Sequence, residues 1–231
     1  MESLIKKVLY FYSAILFIFI VVVIGEFWEN ENLEFEFCLS QRCISLIAKH
    51  FEQTLSFFNW LITSSAILIT AISLFINFKT YENAKSNSDM SNHLSHLSFF
   101  NGYIEKEVLN LKHVSIASIN KNKLYFYMFP KSVGGILVVC DSYKRKIQSI
   151  RNHLIDSSKA YKRQGGNFDY RTHQTALISL LNDLGISMIN MHKKDFYIVE
   201  TELIYLLDSV SQTFSRFEDI VVLGKINRHY S

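Results

Sequence analysis

The longest apolar pattern in the chain runs from Phe57 to Phe78, and no charged residue lies between Glu52 and Lys79. That run exceeds the roughly 20 residues a helix needs to cross a hydrocarbon core. A soluble helix of this length normally shows a charged face, and this one shows none. A second charge-free run lies between Lys7 and Glu26, through Val8–Tyr12 and Ile15–Ile24. The pattern predicts transmembrane helices over 8–25 and 57–78. Val23-Ile24-Gly25-Glu26 is a poor cleavage site, so the first is expected to be an uncleaved anchor. Aromatics flank both spans, at Tyr10, Tyr12, Phe27, Trp28, Phe57, Trp60, Phe78 and Tyr81, where an interfacial belt places amphipathic rings.

Within the second span, Ser56, Asn59, Thr63, Ala66, Thr70, Ser73 and Asn77 recur at alternating spacings of 3 and 4. On a helix they form one stripe of small or polar side chains. Leu61, Ile62, Leu68, Ile69, Ile72, Phe75 and Ile76 fall off the stripe and are expected to face lipid, as is the first span. Such stripes are where membrane helices meet. The stripe reads either as a static contact with another helix or as a wettable surface in a homo-oligomer, since two helices per chain cannot enclose an aqueous path.

Lys6 and Lys7 precede the first span, and Lys79 and Lys85 follow the second. The 26–56 loop is acidic, with Glu26, Glu29, Glu31, Glu34, Glu36 and Glu52 against Arg42 and Lys49. Both termini are therefore expected in the cytoplasm. The domains expected are a cytoplasmic start at 1–7, spans at 8–25 and 57–78, an outer loop at 26–56, a juxtamembrane linker at 79–92 and a cytoplasmic helical domain at 93–231. In the loop, Leu33, Phe35 and Phe37 alternate with Glu34 and Glu36 and suggest a short extended segment, and 44–51 suggests a helical lead-in. Cys38 and Cys43 could close a small disulfide ring outside the cytoplasm or stand as free thiols. Cys140 reads as a small buried hydrophobe.

Beyond 79 the pattern turns polar. Residues 83–92 read as a hinge or a solvated helical extension. Leu94, Leu97, Phe100, Ile104, Val108 and Leu111 mark a helix over 91–112. Leu124–Phe129, ending at the single proline Pro130, reads as a strand. Val139, Tyr143, Ile147, Ile150 and Leu154 mark a helix. Asp169 is expected to cap one that Gly185 ends, and Asp195 to cap a last one reaching towards Phe217. The fold class is thus an all-α membrane protein, two transmembrane helices before a mainly helical cytoplasmic domain, with room for one or two short strands.

No phosphate loop, His-Glu-x-x-His site or Gly-x-Ser-x-Gly elbow occurs in the sequence, so no enzyme, cofactor, metal or catalytic residue is expected. His93 and His96 lack a third ligand at the right phase. The formal charge of +3 is uneven: residues 1–78 hold 4 Lys+Arg and 7 Asp+Glu, leaving 20 and 14 for the rest. The excess concentrates at Lys144, Arg145, Lys146, Arg151, Lys159, Lys162 and Arg163, interleaved with Tyr143, Tyr161, Phe168 and Tyr170. Cations neutralise phosphates and rings stack on bases, so this window reads as a nucleic-acid or partner face. A solvated helix face or a contact with anionic lipid also fits.

Two spans separated by an acidic, aromatic loop, followed by Asn92-x-x-x-His96-x-x-x-Phe100, resemble the two-helix membrane effectors encoded beside bacterial retron reverse transcriptases. The resemblance covers about residues 1–112. It implies an antiphage effector of the bacterial inner membrane, held quiet by a reverse transcriptase with its RNA–DNA product. On release, such a protein depolarises or damages the membrane and causes abortive infection. The alternative is a membrane-anchored sensor or scaffold whose cytoplasmic helices bind a protein partner.

Overall fold

The computed structural model describes residues 2–29, 45, 49, 52–164, 168–215 and 221–230. Among these the structure is helical: α1 (Glu2–Glu29), α2 (Glu52–Leu109), α3 (Lys121–Met128), α4 (Asp141–Gln164), α5 (Tyr170–Asp183) and α6 (Lys193–Phe214). Among the described residues, short 3-10 turns at Ile116–Ser118 and Ser132–Gly134 lie between helices, and a third, Leu223–Lys225, follows α6. No strand occurs among the described residues, and one isolated bridge links Ile119 to Ile186. Cys38, Cys43 and the alternating 33–37 segment lie outside the described residues, as do most of 44–51 and Phe217. The chain divides into two compact units, Met1–Glu82 and Asn83–Ser231.

In the first unit α1 lies against the first half of α2. Phe19 stacks on Phe58 with ring centroids 4.6 Å apart. Leu61 is buried, and Tyr12, Ile15, Phe19, Ile72 and Ile76 are half-buried. Leu61, Ile72 and Ile76 therefore face a neighbouring helix rather than the surroundings, and one edge of α1 does the same. The expectation that they face lipid fails because their spacings of 11 and 4 put them on one edge of the helix. Most other large apolar side chains of this unit are exposed, Trp60 by 65% and Ile67 by 66%. Among the described residues α2 is the one helix long and apolar enough to cross a membrane, and α1 carries a shorter apolar stretch, Tyr10–Val22.

The second unit has a conventional core. Residues 83–92 are helix within α2, as in the solvated extension expected. The buried edge of α2 is His93, Phe100, Ile104 and Val108, whereas Leu94 is exposed. Leu94 is off phase: at roughly 100° per residue it sits a quarter-turn from the centre of that edge. The strand expected at Leu124–Phe129 is helix α3. Asn120 caps it, its side chain accepting from the Lys123 N–H, and Leu124, Tyr125 and Met128 are buried at helical spacing. Pro130 then forbids continuation. Asp169 caps α5 by accepting from the Arg171 and Thr172 N–H groups. Asp195, in contrast, lies inside the first turn of α6, whose cap position is His192. An acidic group there suits the positive end of the helix dipole without capping it.

Gly185 ends α5 with φ +86°, a conformation L side chains rarely adopt. Its carbonyl accepts from the Asn120 N–H at 2.8 Å. A Cβ there would meet Lys123 Cβ at 3.0 Å and the Asn120 carbonyl oxygen at 3.1 Å.

A buried ionic network ties α4, α5 and α6 to the C-terminal segment. Glu200 is completely buried. It receives His173 Nε2 at 3.2 Å, Arg228 Nη1 at 2.9 Å and the Tyr230 hydroxyl at 2.8 Å. Burial would raise its pKa, but the His173 and Arg228 partners outweigh burial and hold it below the usual carboxylate range. On the other side of His173, Nδ1 lies 2.9 Å from Ser157 Oγ of α4. Asp208 anchors the same segment, accepting from the Leu223 and Gly224 N–H groups at 2.8 and 2.7 Å.

Two outcomes follow from this packing. Gly185→Ala should cost roughly 1–3 kcal/mol through backbone strain, lowering the melting temperature of the detergent-solubilised chain in far-UV circular dichroism. An unchanged melting temperature would refute the close-approach account. Glu200→Ala strands Arg228 and His173 and should cost about 3–5 kcal/mol, whereas Tyr230→Phe removes one hydrogen bond and should cost about 1 kcal/mol. Equal melting shifts for the two variants would show that the carboxylate is not the anchor.

Candidate functional site

The stripe residues Ser56, Asn59, Thr63, Ala66, Thr70, Ser73 and Asn77 are all exposed on α2. At roughly 100° per residue the stripe is centred about 145° from the edge that meets α1, so it points away from the helix of its own chain. A cleft of about 660 Å³ between α1 and α2 reaches only Ala66 and Ser73 at its border. Thr63 Oγ1 donates to the Asn59 carbonyl and Thr70 Oγ1 to the Ala66 carbonyl, both at 2.8 Å. These hydroxyls are satisfied within the helix. The side-chain amides of Asn59 and Asn77 have no partner among the described residues. The two are separated by about 27 Å of helix, close to the roughly 30 Å of a hydrocarbon core.

The basic residues all lie on α4, but the structure divides them. Lys144 approaches Asp141 at 4.0 Å and Lys146 reaches Asp183 of α5 at 2.7 Å. The Asp183 hydrogen bond raises the pKa of Lys146. Arg145 is exposed, with Nη2 3.5 Å from Ser142 Oγ. Arg163 is exposed near the helix end. Arg151, Lys159 and Lys162 instead border a cavity of about 310 Å³, together with Lys225 and His229 of the C-terminal segment. Lys225 and His229 were not legible as part of this face. They lie more than sixty residues along the chain, and bonds to Glu200, Asp208 and Ser158 bring them back.

The interleaved rings turn inward. Tyr143 is buried with its hydroxyl 2.8 Å from Ser211 Oγ, and burial pushes its pKa up. Phe168 stacks with Tyr230, and Tyr170 packs against His173. Tyr161 lies under Lys193 Nζ at 5.0 Å from its centroid. These contacts occupy the rings within the unit, so the face offers charge rather than stacking platforms.

His93 and His96 sit over the same hydroxyl: Tyr125 OH lies 3.1 Å from His96 Nδ1 and 3.4 Å from His93 Nδ1. Burial, and then the neighbouring His93, lower the pKa of His96. No group of three or more His, Cys, Asp or Glu side chains that could hold a metal occurs among the described residues. Cys140 is half-buried and its Sγ donates to the Tyr127 carbonyl at 3.0 Å. Ser157, His173 and Glu200 form a serine–histidine–carboxylate chain that sequence spacing did not reveal. All three are buried, and the chain links α4, α5 and α6.

Comparison with known proteins converges on one group. No solved structure matches the chain. It is 26% identical over 231 residues, 98% of its own length and 97% of the relative's, to an Escherichia coli protein described as Retron Ec48 transmembrane protein. The family whose model matches residues 47–218 is described as Retron Ec48 antiviral membrane protein. That match covers all of α2 and the helices of the second unit down to α6, and the chain belongs to the Retron Ec48 antiviral membrane protein family.

Proposed function

We propose that the chain is the membrane effector of a retron antiphage system. A reverse transcriptase with its RNA–DNA product holds it quiet, and on release it depolarises the bacterial inner membrane and aborts the infection. Family membership carries the antiviral and membrane parts of this reading. In it, α1 and residues 57–78 of α2 both cross the bilayer, with both termini in the cytoplasm. Lys6, Lys7, Lys79 and Lys85 support that orientation. The second unit, 83–231, takes the partner. No catalytic step is assigned to it.

The observation that carries the depolarising step is the placement of the stripe. α1 covers one edge of α2 and leaves the polar edge for other copies of the chain. Asn59 and Asn77 bring amides that need a partner or water at the two boundaries of the bilayer. Small residues between them permit close approach, and interhelical hydrogen bonds average only about 0.6 kcal/mol in such settings. An assembly of that strength can form and rearrange.

The orientation is tested by an impermeant maleimide applied to intact cells after mild reduction. Cys38 or Cys43 should be tagged and Cys140 spared, and tagging of Cys140 alone would reverse the topology. The working surface is tested by Thr63→Leu with Thr70→Leu, which adds bulk without hindering insertion. This variant should abolish growth arrest and dye-reported depolarisation at equal membrane abundance, whereas Leu68→Ile should retain both. Full depolarisation by the stripe variant would leave the stripe as a static packing surface only.

A further inference from the structure

The geometry points to a nucleotide-phosphate binding site in the cavity between the C-terminal half of α4 and residues 222–229. This inference deepens the partner-binding half of the reading above, but it rests on side chains of the second unit alone.

Four permanent cations converge on the cavity. Arg151, Lys159 and Lys162 come from one face of α4, and Lys225 comes from the 3-10 turn Leu223–Lys225. No carboxylate lines it among the described residues. None of the four makes an ion pair among the described residues, whereas Lys121, Lys144, Lys146 and Arg228 each have a carboxylate partner. The dipole at the end of α4 accounts for Lys162 in the last turn. It does not account for Arg151, three turns upstream, or for Lys225 on a different element. Packing alone would be expected to separate like charges or to interleave carboxylates. Here bonds of Leu223 and Gly224 to Asp208 of α6, and of Asn227 and His229 to Ser158 of α4, hold Lys225 beside α4 instead. An anion resolves that repulsion, and an arginine fork with lysines around it matches phosphate oxygens.

The rest of the lining selects among phosphates. Ile155, Val222 and Ile226 give an apolar floor, which a bare inorganic ion would leave unused. About 310 Å³ is at the small end of ligand sites, room for one nucleotide unit, free or within a strand. Ser158 is committed to the wall: its Oγ donates to the Asn227 carbonyl at 2.9 Å and accepts from the His229 N–H at 3.1 Å. A membrane-docking face would set large exposed apolar side chains beside its cations. None of the exposed large hydrophobic side chains of the described chain lines this cavity. The lining therefore favours a nucleotide over a lipid headgroup.

The test is calorimetric titration of the full chain in neutral detergent with AMP, a five-residue oligothymidylate and, separately, phosphatidylglycerol vesicles. AMP or the oligonucleotide should bind, more weakly as salt rises. Binding of AMP alone would assign a free nucleotide, and of the oligonucleotide alone a strand; either supports the site. Arg151→Gln with Lys162→Gln should weaken that binding at least tenfold, as should Lys225→Gln from the opposite wall. Arg145→Gln with Lys146→Gln should change it less than threefold. Failure of both nucleotide probes, unchanged binding in the cavity variants, or binding confined to the vesicles would overturn the assignment. Growth arrest is not a readout here, so failure of this site and failure of the membrane reading remain distinguishable.

Discussion

A single buried carboxylate sets the shape of the second unit. Glu200 sits at full burial on α6 and is satisfied from three sides, by α5 through His173 and by the C-terminal segment through Arg228 and Tyr230. A buried carboxylate that lost Arg228 would face a desolvation cost of several kcal/mol, whereas loss of the Tyr230 hydroxyl removes one hydrogen bond. Arg228 must therefore be in place wherever Glu200 is buried. The consequence reaches beyond α6. His173 also holds Ser157 of α4, so one charged group fixes the angle at which three helices and the chain terminus meet. With the Asp208 and Ser158 bonds, this constraint returns Lys225 and His229 to the side of α4, where they border the basic cavity.

The helices with long-period patterns were legible in the sequence, and the reasons are local. Asp169 and Gly185 work at the ends of α5 as their chemistry requires. The apolar run of 57–78 lies within a helix of matching character. The failures share a different cause. Leu124–Phe129 has the aromatic content of a strand, and Asn120 plus the demand for buried positions at helical spacing overrode it. Leu94 lies off the edge that Phe100, Ile104 and Val108 set, and His93 falls on it, next to the Tyr125 hydroxyl. The aromatic residues among the basic ones suggested base stacking. Phe168 and Tyr170 pack instead against Tyr230, and Tyr170 also against Phe196, residues that no local pattern could connect to them.

The basic window shows the same limit from the functional side. Seven cations on one helix look equivalent in sequence, yet their surroundings separate them. Lys144 and Lys146 are drawn to carboxylates, one of them on a different helix, while Arg151, Lys159 and Lys162 gather with a fourth cation from the end of the chain. Charge composition identified the helix, and only the fold distinguished neutralised charge from available charge.

The inward hydrogen bonds of Thr63 and Thr70 carry a consequence for how an assembly in the bilayer would be governed. Because each hydroxyl already donates to a carbonyl of its own helix, pulling two copies apart exposes methyl groups to acyl chains and orphans no hydroxyl. The dispersed and assembled forms then differ little in the solvation of these positions. Such an equilibrium is set mainly by how many copies share the same patch of membrane. A partner that merely keeps the copies diluted or apart would be a sufficient brake, and its departure would act through local crowding rather than through a change in any one helix.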